Sequence, residues 1–203
     1  MEFLVDMTTE VPDGTTPAEV ADMRAHEAAH TRVLAGQGRV LRLWRPPLGP
    51  HEWRTIGLFA AASPGELEST LASMPLRVWR TDEVTALGAH PNDPGRGEVP
   101  LTAGSEEFLV TFTLTVPDRV APETVDEMSA QEAERARKLA ADGRLLRLWT
   151  LPGPGRSLGH WQTTGAGPMR EILEALPLAN WLTTETVPLT RHPSDPAGEV
   201  RAS

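Results

Sequence analysis

The chain states one pattern twice. Glu2-Phe3-Leu4-Val5 returns as Glu107-Phe108-Leu109-Val110, and Gly38-Arg39-Val40-Leu41-Arg42-Leu43-Trp44 returns as Gly143-Arg144-Leu145-Leu146-Arg147-Leu148-Trp149. Further on, His90-Pro91-Asn92-Asp93-Pro94 returns as His192-Pro193-Ser194-Asp195-Pro196. The offset is 105 residues early in the copies and 102 later, which leaves one three-residue gap in the Pro/Gly-rich stretch Pro46–Glu52. A period of roughly a hundred residues is too long for a solenoid repeat and has the size of a small domain. The chain therefore reads as two fused copies of one fold, 1–92 and 106–194, joined by a linker at 93–105 and followed by a tail at 195–203 that is expected to fray.

Within a copy, the spacing predicts strand, helix, strand, strand, helix, strand. Glu2–Val11 is rich in Phe, Leu and Val, and Pro12-Asp13-Gly14 breaks it. Thr16 followed by Pro17 starts a helix that runs to about Ala35 and stops at Gly36 or Gly38. Arg39–Arg45 and Trp53–Ala62 are the next strands, Ser63-Pro64 caps a second helix over Gly65–Ser73, and Arg77–Ala89 closes the unit as a bent strand. The order βαββαβ is the ferredoxin-like split motif, an antiparallel sheet with both helices on one face. Its bare face needs cover, and a tandem copy supplies a second sheet. The fold class is α+β: two ferredoxin-like domains packed sheet to sheet as an intramolecular pseudo-dimeric α/β barrel.

Composition narrows the function. A net charge of −9 with no dense basic block argues against nucleic acid as a partner. The absence of cysteine removes disulfides, thiolate catalysis and sulfur-ligated metals. No apolar run is long enough to span a bilayer, and no leader pattern opens the chain, so the protein is expected to be cytoplasmic without a membrane partner. His, Asp and Glu have no credible metal spacing, and there is no phosphate loop or Gly-x-Ser-x-Gly. A small molecule is the expected partner.

A residue kept polar in both copies against an apolar pattern is informative. Val20, Met23 and Leu34 form one helix stripe, and Glu27 interrupts it; Glu132 interrupts the stripe of Val125, Met128 and Leu139 at the same place. A carboxylate facing a core is costly unless paired or neutralised, and desolvation moves its pKa toward the range useful for proton transfer. Glu27 and Glu132 are the candidate catalytic residues. The bland alternative is a glutamate at the stripe's edge that reaches water. One turn on, His30 matches Arg135, and either could pair with its glutamate.

Alternation along the second strand puts Leu41 and Leu43 on one face and Arg42 and Trp44 on the other, with Arg147 and Trp149 equivalent. A guanidinium for a carboxylate and an indole for a carbon skeleton suit an organic acid; packing within the core is the competing role for these tryptophans. His30, Trp53, Trp79, Trp161 and Trp181 complete the candidate substrate-binding set, beside Arg54, Arg156 and His160 on the third strands. His90 and His192 precede proline and read as turn-ordering residues.

The order of these segments resembles muconolactone Δ-isomerase. The resemblance lies in Met1-Glu2-Phe3-Leu4-Val5-Asp6-Met7, the helix with Glu27, Leu43-Trp44-Arg45, Met74-Pro75-Leu76 and Glu83-Val84-Thr85-Ala86-Leu87 to His90-Pro91. In the second copy it runs through Phe108-Leu109-Val110, Leu148-Trp149, Ala175-Leu176-Pro177-Leu178 and Thr190-Arg191-His192-Pro193. The resemblance implies a ferredoxin-like domain that dimerises sheet to sheet, further assembly into a homo-oligomer of fused pseudo-dimers, and a cofactor-independent isomerase that moves a C=C bond in an unsaturated lactone by a 1,3-proton shift. It places the family's helix glutamate on Glu27 and Glu132. The chain departs from the family in being a fused pair and in containing no tyrosine. Two other readings stay open: a cyclase or isomerase tailoring a larger polyketide-like or polycyclic intermediate, and a non-catalytic small-molecule binding protein.

Overall fold

Thr16 starts the first helix by a reciprocal cap. Its Oγ1 accepts from the Glu19 N–H at 3.3 Å, and Glu19 Oε2 accepts from the Thr16 N–H at 2.8 Å. Pro17 follows at a position where no N–H is needed, so helix α1 spans Pro17–Gly36. The computed structural model describes residues 1–199. The first copy contains strand β1 (Glu2–Thr9), α1, β2 (Val40–Arg45), β3 (Arg54–Ala60), α2 (Pro64–Ala72), a 3-10 turn (Pro75–Trp79) and β4 (Arg80–Ala89). The second contains β5 (Glu106–Leu114), α3 (Pro122–Ala141), β6 (Leu145–Thr150), β7 (Arg156–Thr163), α4 (Ala166–Glu174), a 3-10 turn (Ala179–Trp181) and β8 (Leu182–Arg191). Another 3-10 turn, Pro196–Glu199, follows.

Each copy is βαββαβ, as the spacing predicts. In the first, β1 lies between β3 and β4, and β2 lies outside β3; in the second, β5 lies between β7 and β8, and β6 outside β7, all antiparallel. The compact units do not coincide with the copies. One holds Met1–Leu87 together with the described residues from Thr190 on; the other is Gly88–Leu189. Within the first unit, Thr190 and Arg191 pair with Arg45 and Trp44. Within the second, Gly88 and Ala89 pair with Thr150 and Trp149. The end of each copy is thus part of the unit built on the other.

The two cores repeat position by position. Phe3, Val5, Met7, Leu34, Val40, Leu43 and Phe59 pack together in one unit, and Phe108, Val110, Phe112, Leu139, Leu145, Leu148 and Trp161 in the other. Burying each such side chain contributes about 1.5–3 kcal/mol. Gly57 and Gly159 hold equivalent places in β3 and β7. A Cβ at Gly57 would sit 2.4 Å from the Phe59 ring, and one at Gly159 would sit 2.2 Å from Trp161 Nε1. The aromatic side chain two residues on lies over bare backbone, and any Cβ here would force that ring to move.

Two expectations change. A bulge at residues 40–42, repeated at 145–147, breaks the alternation of the second strand. Val40 and Leu43 therefore share the core, where alternation had put Leu41 with Leu43. The segment Arg77–Trp79, read as strand, is a 3-10 turn after Met74-Pro75. The linker and the tail are also anchored. Thr102 and Pro100 are bonded to the buried Gln162 side chain, Asp93 to Arg147, and Asp195 is 4 % exposed against Arg42. Of the tail expected to fray, residues 200–203 lie outside the described residues. Among the described residues, no helix is long and apolar enough to cross a membrane.

Candidate active sites

Each unit has a cavity against its long helix. The first, about 260 Å³, has Glu27 in its wall, and the second, about 310 Å³, has Glu132. The helix stripe is the reason. Residues 20, 23 and 27 of α1 turn inward but stay half-buried, ahead of the fully buried Thr31 and Leu34. The helix residues lining this cavity, Arg24, Glu27, Ala28 and Thr31, include no large apolar side chain.

Both glutamates accept a backbone N–H from the segment after the second helix: Glu27 Oε2 from Leu76 at 2.8 Å and Glu132 Oε2 from Leu178 at 3.1 Å. Beyond that they part. Glu27 Oε1 also accepts from Arg80 Nη1 at 3.2 Å. The Arg80 side chain is 2 % exposed and donates through Nε to Asp82 at 2.6 Å, and Arg77 donates to the same Asp82 at 2.9 Å. A buried cation is costly unless its donors are met, and two carboxylates meet them here. The equivalent of Arg80 in the second unit is Leu182, and that of Asp82 is Thr184. Burial pushes the Glu132 carboxyl above its ordinary pKa, only partly offset by the Leu178 N–H and the charge of Arg135.

A histidine from the end of the other copy completes each cavity: His192 in the first, His90 in the second. The repeated His-Pro-x-Asp-Pro motif builds this feature. The ring Nδ1 accepts the N–H two residues on, from Ser194 or Asn92, at 3.1 Å in both cases. The neutral ring then carries its proton on Nε2. Burial, with the nearby charge of Arg45 and despite Asp195, pushes His192 down to about 4. Burial also lowers His90, against the pull of Asp93. Sequence reading gave these histidines a turn-ordering role, which they have, and missed their place in the cavity walls. The motif's recurrence in both copies was the available signal.

The aspartate of the same motif corrects a second expectation. Asp195 accepts from Arg42 Nε and Nη2 at 3.1 and 3.0 Å and from the Leu43 N–H at 3.0 Å. Asp93 repeats this with Arg147 at 3.1 Å and with the Leu148 N–H at 2.8 Å. Arg42 and Arg147, expected to anchor substrate, line neither cavity and are engaged by these aspartates. Trp44 and Trp149 are buried to 0 and 2 % exposure under those guanidinium groups, at 4.8 and 4.7 Å, and likewise lie outside both cavities.

The other candidates divide. Trp53 lines the first cavity with Arg24 stacked over it at 4.3 Å, and Trp161 lines the second. Trp79 lies in a shallow surface recess beside Asp22, and Trp181 lines neither cavity. His30 meets Ser73 Oγ at 2.9 Å instead of Glu27, because the helix turns its ring toward the end of α2. Arg135 makes no hydrogen bond to Glu132, and His160 is buried against Glu107 at 2.8 Å. Arg24, Arg45 and Arg80 in the first cavity were not singled out from the sequence. Among the described residues, no group of His, Asp and Glu is placed to hold a metal ion.

The comparisons with known proteins agree with this architecture. The family described as muconolactone delta-isomerase matches the chain twice, over residues 1–93 and 107–195. Muconolactone Delta-isomerase 1 of Acinetobacter lwoffii is 30 % identical over 87 residues, 43 % of this chain and 91 % of that one. The Rhodococcus opacus enzyme is 30 % identical over 88 residues, 43 % of this chain and 95 % of its own. A heme-binding protein from Thermus thermophilus has the same fold over 96 % of this chain and 93 % of its own, with a TM-score of 0.60 at 10 % identity. The fold is a tandem of ferredoxin-like domains of the dimeric α/β-barrel class. The chain belongs to the muconolactone delta-isomerase family and carries the family unit twice.

Proposed function

We propose that the protein is a cofactor-independent isomerase that shifts a C=C bond in an unsaturated lactone or related carbonyl compound, with Glu27 and Glu132 as proton carriers of their respective cavities. The observation that carries this is the recurrence of a helix glutamate in the wall of a mostly apolar cavity, held by one backbone N–H, in both units. Family membership supports the reaction class.

In the first cavity, Glu27 removes the proton on the carbon γ to the lactone carbonyl, and the electron pair spreads into a dienolate. The same carboxyl returns the proton at the α carbon, and the double bond moves from α,β to β,γ. No atom is gained or lost. Charge builds on the lactone oxygen meanwhile, and the Nε2–H of neutral His192 is the donor suited to stabilise it. Arg24 and Arg45, which have no ion-pair partner among the described residues, suit a carboxylate side arm on the substrate. Volumes of about 260 and 310 Å³ fall at or below the lower end of the ~300–1,000 Å³ typical of drug-sized sites, which favours a small lactone over a polycyclic intermediate.

The test is incubation with muconolactone in deuterated buffer, followed by NMR for enol-lactone formation and deuterium entry. Turnover lost in Glu27→Gln is the expected result. A double variant, Glu27→Gln with Glu132→Gln, that keeps the wild-type rate would remove both glutamates as the base.

A further inference from the structure

The two cavities occupy equivalent places but are lined by different chemistry. Thr9, Thr31, Arg45 and Arg80 of the first are replaced in the second by Leu114, Ala136, Thr150 and Leu182. Arg24, over the indole of the first cavity, is replaced by Ser129. The one arginine lining the second cavity, Arg156, is exposed and donates to the Pro152 carbonyl at 3.3 Å. A carboxylate moved into the interior of such a cavity would leave water without gaining a buried cation.

A second observation says what the site lacks. Trp161 lines this cavity, is 3 % exposed, and its Nε1–H is buried without a hydrogen-bond acceptor. A buried indole N–H nearly always finds a partner, and this one has none within the described residues. Glu132 lies in the same wall.

We infer that the second cavity is a binding site for a neutral, unsaturated carbonyl compound with an apolar ring, and that the acid-bearing substrate is confined to the first. The ring packs against Phe112, Leu114, Leu178 and Leu182, and the carbonyl oxygen accepts from Trp161 Nε1. Burial raises the Glu132 carboxyl above its ordinary pKa, in keeping with the apolar lining of this cavity. This rests on the isomerase reading only in treating both cavities as ligand sites.

The test uses a matched pair of lactones, coumarin and coumarin-3-carboxylate, titrated into the full chain with labelled Met and Leu methyl groups. Met7 and Met74 report on the first cavity, Leu114 and Leu182 on the second. Coumarin is expected to shift the second pair and the carboxylate the first. Trp161→Phe, which keeps a ring and removes the donor, should weaken coumarin about five- to tenfold, the worth of one hydrogen bond. Coumarin that leaves Leu114 and Leu182 unmoved, or a carboxylate that fills the second cavity as tightly, would overturn the inference; unchanged affinity in Trp161→Phe would overturn the role of its N–H. Turnover of muconolactone without coumarin binding would break this inference alone. Coumarin in the second cavity of a chain that turns over no lactone would break the isomerase reading and leave the ligand class standing.

Discussion

Glu27 and Glu132 occupy the same helix position and accept the same kind of backbone N–H, but one faces a buried arginine and the other faces leucine. The difference shows that a shared fold position does not fix a carboxylate's chemistry; the strand that packs opposite does. In the first unit β4 brings Arg80, held in turn by Asp82 and Arg77, and Glu27 is one member of a charged network. In the second unit β8 brings Leu182, and burial raises the pKa of Glu132. One duplicated position holds a carboxylate paired with a buried arginine in one unit and a carboxyl of raised pKa in a more apolar pocket in the other.

The comparison can be broken most sharply by activity. Glu27→Gln should reduce turnover of an acid-bearing lactone about 10²–10⁴-fold, the usual contribution of a positioned general base. On that substrate the larger share of any loss should follow Glu27, and rates that fall equally in Glu27→Gln and Glu132→Gln would mean the cavities are equivalent. Next in size is stability. Arg80→Met leaves two buried carboxylates short of a partner and should cost about 3 kcal/mol or more in urea unfolding; a midpoint unchanged from wild type would remove the network from the account.

The same glutamine substitutions should then move stability in opposite directions. Glu27→Gln gives up the Arg80 ion pair and should lose about 1–3 kcal/mol. Glu132→Gln keeps an acceptor for Leu178 and removes a carboxyl whose folded pKa is raised, so its melting temperature at neutral pH should rise. A raised folded pKa contributes stability below the ordinary carboxyl value and loses it as pH rises through the folded one. Two melting temperatures that both fall would erase the contrast.

The smallest effect concerns acid. His192 is depressed to about 4 from 6.5, so between those values the unfolded chain binds the extra proton. Stability should be flat above pH 6.5 on this account and fall as pH drops toward 4, more in wild type than in His192→Gln. Parallel melting curves for the two proteins across that range would sink it.

The element order and both cores were legible because they rest on local signals: Thr16-Pro17, the Gly-rich stops, and apolar residues repeated at the right period. Glu27 and Glu132 were legible for a different reason, since each breaks a stripe that the other copy also breaks. Alternation placed Arg42 with Trp44 and Arg147 with Trp149, as the structure has them, but it says nothing of what meets those guanidinium groups. Their partners, Asp195 and Asp93, come from far along the chain, in segments whose Pro and Gly content reads as loose. Arg80 was hidden inside what read as one long strand; the 3-10 turn that ends at Trp79 sets where that strand begins.

The exchange of chain ends, His192 into the cavity of Glu27 and His90 into that of Glu132, has a consequence for how such a protein can change. In a pair of identical subunits any substitution appears in both sites at once, and a gain for one ligand is forced on the other. Joining the copies in a single gene lifts that constraint while each copy still supplies part of the other's pocket. Symmetry is released, interdependence is kept, and the chain can specialise its halves but cannot discard either.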